Sequence, residues 1–75
     1  MDIKPLGRMV LVTMGDTLDN NTLVVKGRVL KVGENVPGSL LEADVLFYIA
    51  SGQDLNINGA KHKLLSADDL LAVVT

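Results

Sequence analysis

The dipeptide Asn58-Gly59 stands between two short runs, "DLNI" and "AKHKLL". Asn-Gly is the preferred two-residue hairpin turn because both positions tolerate a positive φ. Ahead of it, Leu55 and Ile57 alternate with polar residues, the period of a strand with one buried face. The pattern predicts an antiparallel hairpin with "AKHKLL" as its return strand. Other short apolar runs extend the same theme. "RMVLV" (Arg8 to Val12) follows "KPLG", where Pro5 lacks an N–H and marks an edge or an arm. "GRVLKVG" (Gly27 to Gly33) is a strand bounded by glycines. "DVLFYI" (Asp44 to Ile49) is short enough for a buried strand, and it puts Phe47 and Tyr48 on opposite faces. Between these two, Glu34 to Ala43 is a connection with Pro37-Gly38 as its turn signal. Ser66 is a good N-cap for a short helical turn, with Asp68 and Asp69 suited to its positive end. Ala72 to Thr75 then extends again. Many short strands separated by turn signals predict a small all-β barrel.

A chain of 75 residues has room for one small domain, residues 1–75. At that size a lone core is marginal, and disulfides, metals or association supply the missing stability. There is no cysteine, and the one histidine, His62, cannot build a metal site alone. Association is therefore the expected support. Aromatic residues are only 3% of the chain, so Val and Leu must carry the core.

The same features exclude several functions. A formal net charge of −2 gives no basic face for nucleic acid. No apolar run approaches the ~20 residues of a membrane span, and "MDIKPLGRMV" shows no signal peptide, so a soluble, cytoplasmic protein is expected. His62 lies between Lys61 and Lys63, which favours a solvated strand residue over a metal ligand. Asp68 and Asp69 are adjacent, diverge by about 100° on a helical turn and make no acid–base pair. One histidine beside lysines assembles no nucleophile triad, and the scattered glycines form no phosphate loop. The chain is not expected to be an enzyme.

"IKPLGRMVLV", Ile3 to Val12, resembles the opening of the GroES-type co-chaperonin family, which typically reads IKPLGDRVLV. Arg8 stands where that family has an acidic residue, and Met9 where it has arginine. "GRVLKVG" is similar to the family's glycine-bounded strand after its mobile loop. "EADVLFYIASGQDLNINGAKHKLLSADDLLAVV" is similar to its VGDxVLF, glycine turn, ID-G hairpin and closing S/E-D-D-ILAVV, with Ala43 in place of the usual glycine. Together these pieces cover nearly the whole chain in the right order. The resemblance implies a GroES-like β-barrel that assembles into a ring of seven. It implies a co-chaperonin that caps a chaperonin ring while a client folds in an enclosed chamber. The partner would be the apical domains of a GroEL-type chaperonin, which binds and hydrolyses the nucleotide; no cofactor is implied for this chain. Two segments are shorter than the family pattern, the mobile-loop region Met14 to Lys26 and the roof region Glu34 to Ala43. The same barrel serving as a structural assembly module without chaperonin binding is the alternative.

The loop poses a specific question. Gly15, Asp16, Asp19, Asn20 and Asn21 favour turns. Leu23-Val24-Val25 then forms an apolar triplet that resembles the tripeptide by which the family's mobile loop docks. Read from the residues alone, the triplet either starts the next strand or docks on a partner. Leu18, near the loop tip, is the other candidate. The expected chaperonin-binding residues are Leu23, Val24, Val25 and Leu18. For the ring seam, terminal strands of neighbours are expected to pair through Ile3 and Leu6 on one side and Leu71, Val73 and Val74 on the other.

Overall fold

The computed structural model describes residues 2–19 and 23–75; Asn20 and Asn21, expected as turn residues, lie outside them. Its strands are β1 (Met9–Thr13), β2 (Thr17–Asp19), β3 (Val24–Val32), β4 (Asp44–Tyr48), β5 (Gln53–Ile57), β6 (Ala60–Ser66) and β7 (Ala72–Val74). Single 3-10 turns occupy Gly38–Leu40 and Ala67–Asp69. All pairings are antiparallel, in the order β5-β6-β1-β3-β4-β7, with β2 beside β3. The expected hairpin is present. Asn58 and Gly59 both take positive φ, 52° and 84°, and the Gly59 N–H donates to Asn56 Oδ1 at 3.0 Å. The expected cap is present too: Ser66 Oγ accepts from the Asp68 N–H at 3.1 Å.

The all-β expectation holds, but the barrel is not closed. Its two end strands, β5 and β7, do not pair with each other. β7 is only three residues long and spends its pairing on β4, with Asp44, Val45 and Leu46 opposite Val74, Val73 and Ala72. The sheet bends instead around β3, the longest strand. Val24 to Arg28 pair with β4, whereas Val29, Lys31 and Val32 pair with β1, and the register shifts by one residue at Leu30, opposite the step from Leu11 to Val12. A strand shared between two sheets needs such an irregularity to turn the corner. Where β1 meets the bend, the backbones come very close. The Arg28 N–H donates to Thr13 Oγ1 at 2.9 Å, and a β-carbon on Gly27 would overlap the Thr13 carbonyl oxygen and press on the Phe47 ring.

Inside the bend lies one apolar cluster: Val10 and Val12 from β1, Val25 and Val29 from β3, Val45 and Phe47 from β4, Leu65 from β6, and Val36 from the β3–β4 connection. Phe47 is buried while Tyr48 is exposed, the strand alternation expected of neighbours.

The corner before β1 is fastened by charge. Arg8, in place of the acidic residue, holds Asp68 with two hydrogen bonds, Nη2 to Oδ1 at 2.6 Å and Nε to Oδ2 at 3.3 Å, and Nη1 donates to the Asn35 carbonyl at 3.2 Å. On the other side, Glu34 Oε1 accepts from the Gly7 N–H at 3.0 Å. Both carboxylates titrate below their usual range. For Asp68 the cause is the Arg8 hydrogen bond, then the Arg8 charge. For Glu34 it is hydrogen bonds from its own N–H and from Gly7. A carboxylate whose folded-state pKa is depressed stabilises the fold above its unfolded-state pKa, and that contribution disappears as pH falls through the folded value. Thermal melting should therefore be flat near neutrality and decline once pH enters the ordinary carboxylate range of about 4. Asp68→Asn should melt lower at pH 7 and show a shallower acid decline. An acid profile identical to that of the parent chain would remove this pair as a source of acid sensitivity.

Candidate functional site

The residues expected to dock converge on one end of β3, but they are not equivalent there. β2 pairs with the start of β3, Thr17 opposite Val25 and Asp19 opposite Val24. Val24 and Val25 are thus the first residues of β3 and not part of a loop. Val24 lies opposite Tyr48 and is half-buried. Val25 lies opposite Phe47 with 1% of its surface exposed, and it belongs to the core. Strand β3 therefore begins three residues before the expected Gly27, because the segment is offered two partners, β2 and β4, at once.

Leu23 differs from its two neighbours. It is 56% exposed and takes a φ of +56°, a left-handed backbone that is rare for a branched side chain. Its carbonyl accepts from the Ile49 N–H at 3.0 Å, which ties this turn to the end of β4. Tyr48 and Ile49 at that end are also exposed, so Leu23 stands beside two further large side chains. Leu18, on β2, is exposed as well. Of the four expected docking residues, Leu23 and Leu18 present their side chains to solvent and Val25 does not.

The expected seam residues fall on two sites. Ile3 is half-buried and Leu6 exposed, in the arm before β1. Ile3 and Pro5, with Leu30, Lys31 and Leu41, line an open groove of about 480 Å³. Leu71, Val73 and Val74 are all exposed on or beside β7. β7 was expected to pair with a neighbouring copy. One of its edges is taken by β4 of the same chain, and the Leu71 N–H donates to the Leu46 carbonyl at 2.8 Å. Its other edge is unpaired among the described residues. An unpaired apolar edge is a template for another strand.

Two features escaped the sequence reading. One is the adjacency of Tyr48 and Ile49 to Leu23, which depends on a long-range pairing. The other is Lys63, 1% exposed on β6. Its place two residues before Leu65 was the available signal, since both then face inward. His62, expected to be solvated, is half-buried, and its Nδ1 lies 3.0 Å from the Ala60 carbonyl. Among the described residues no group of three or more His, Asp or Glu side chains converges on a metal-sized site, and no helix is long and apolar enough to cross a membrane.

No protein-family model matches the sequence. The chain is similar to Co-chaperonin GroES of Micrococcus luteus, at 42% identity over 50 residues. Those residues are 65% of this chain and 51% of that protein, so the chain spans about half the length of this curated relative.

Proposed function

We propose that this chain is a co-chaperonin. A ring of its copies, seven by resemblance, caps a cytoplasmic GroEL-type chaperonin, and the partner's ATP cycle drives folding of a client inside. The chain itself performs no catalysis and holds no cofactor. The similarity to Co-chaperonin GroES is the observation that carries the reading. Its support in the chain is the set of exposed apolar side chains at Leu18 and Leu23, which would meet the apical domains, and the unpaired edge of β7 with Leu71, Val73 and Val74, which would meet the arm of a neighbour at Ile3 and Leu6. A single small contact of this kind binds weakly. Several copies in a ring make the later contacts intramolecular, with effective concentrations near the mM range.

Native mass spectrometry of the chain with a GroEL-type chaperonin tests this. With ATP, a complex of one chaperonin with a whole ring of this chain is expected; without nucleotide, much less of it. A second reading has its own observation. Because Val24 and Val25 are built into β3, only Leu23 of the triplet is free to dock. A chain that forms rings but binds no chaperonin in any nucleotide state is an assembly module, and the co-chaperonin reading fails.

A further inference from the structure

The cleft beside the hairpin is about 360 Å³, and Met14, Ile49, Asp54, Leu55, Lys61 and His62 are among the residues that line it. Two of these residues sit on different segments. Ile49 begins the turn that joins β4 to β5, and Asp54 lies on β5 itself. Both are held by one buried cation. Lys63 Nζ donates to the Ile49 carbonyl at 2.6 Å and forms an ion pair with Asp54 Oδ1 at 2.8 Å. The lysine side chain is 2% exposed, whereas the Asp54 side chain is 80% exposed.

We infer that Lys63 is a latch that fixes the β4–β5 turn against β5 and so holds the two walls of this cleft at a set separation. A buried ammonium is costly unless its donors are met, and that of Lys63 is met by acceptors from two segments at once. Hydrogen bonds to a charged group are stronger than neutral ones. The turn's other hydrogen bonds do not reach β5: the Ile49 N–H donates to the Leu23 carbonyl at 3.0 Å, and the Ser51 N–H donates to the Tyr48 carbonyl at 3.0 Å within the turn. Releasing the ammonium therefore frees the turn without unpairing β1 from β3 or β6.

The full chain tests this by amide hydrogen exchange on the parent, Asp54→Asn and Lys63→Met. In Asp54→Asn, amides of the segment 49–53 should exchange about tenfold faster, the scale set by one charge-assisted hydrogen bond. Amides of Val10 to Val12 should keep the parent rate. Lys63→Met should loosen the same segment while melting at the parent temperature or above it, since an apolar side chain of similar length suits a buried site. Local loosening with global stability kept is the signature of a latch. Acceleration spread evenly over β1 and β3, or none in 49–53, overturns the inference. Should Lys63→Met fail to fold, Asp54→Asn decides alone, because its change is at an exposed carboxylate.

Discussion

Val25→Ser is expected to remove a large share of the fold's stability and to lower the urea midpoint steeply, while Leu23→Ser and Leu23→Gly keep the parent midpoint or nearly so. The side chain of Val25 is buried opposite Phe47. Exchange to serine forfeits roughly 1.5–3 kcal/mol of apolar burial and adds a buried hydroxyl at a further ~1–3 kcal/mol. A chain of 75 residues has about 4–11 kcal/mol of stability in all. At Leu23 the arithmetic reverses. The side chain is exposed, so its loss changes stability by about 0.5 kcal/mol or less. Its left-handed backbone costs a branched residue ~1 kcal/mol or more, and glycine takes the same conformation freely, so Leu23→Gly should melt at or above the parent temperature. Urea unfolding separates the two positions, and capture by a chaperonin ring with ATP then gives the functional half. Leu23→Gly should fold and lose capture. A Val25→Ser protein with the parent urea midpoint would place Val25 outside the core, and full capture by Leu23→Gly would move the docking role to Leu18 or elsewhere.

Gly27→Ala should have an effect of similar size for a different reason. The added β-carbon would overlap the Thr13 carbonyl oxygen, a backbone atom that no rotamer change can move. Relief requires the end of β1 to lift off β3, which also breaks the Arg28 N–H bond to Thr13 Oγ1. Overpacking costs about 1–3 kcal/mol and the lost hydrogen bond ~1 kcal/mol more. Gly38→Ala is the matched control, because a β-carbon there meets open space. It should be neutral or stabilising by up to about 1 kcal/mol through the unfolded chain. Equal urea midpoints for the two variants would contradict the close crossing of β1 over β3.

What could be read from the residues was whatever their local chemistry decides. Asn58-Gly59 carries its own turn geometry, and Ser66 caps with an atom two residues away. The alternation of Phe47 and Tyr48 is likewise a property of adjacent positions. Distant partners left no such trace. Thr17 to Asp19 are flanked by turn-prone Gly15 and Asp16, and they form a strand because β3 offers them an edge. Ala72 to Thr75 read as a strand, but nothing in those residues says that β4 is its partner. Lys63 shares its parity with Leu65, but the acceptors that offset its charge lie 14 residues away at Ile49 and on a neighbouring strand at Asp54. The apolar triplet was ambiguous for the same reason. Three aliphatic residues fit a strand or a docking loop equally well, and the pairing of β3 with both β2 and β4 decided where each side chain points.

The placement of Tyr48 has an optical consequence. The chain contains one tyrosine and no tryptophan. Its near-ultraviolet emission therefore comes from a single phenol ring at the end of β4, about half exposed and beside the turn of Leu23. Phe47, the other aromatic residue, is sealed in the core and absorbs weakly at longer wavelengths. The molecule thus carries an intrinsic probe at the face where docking is proposed, and the spectrum of unlabelled protein reports on that face without a background from the rest of the fold.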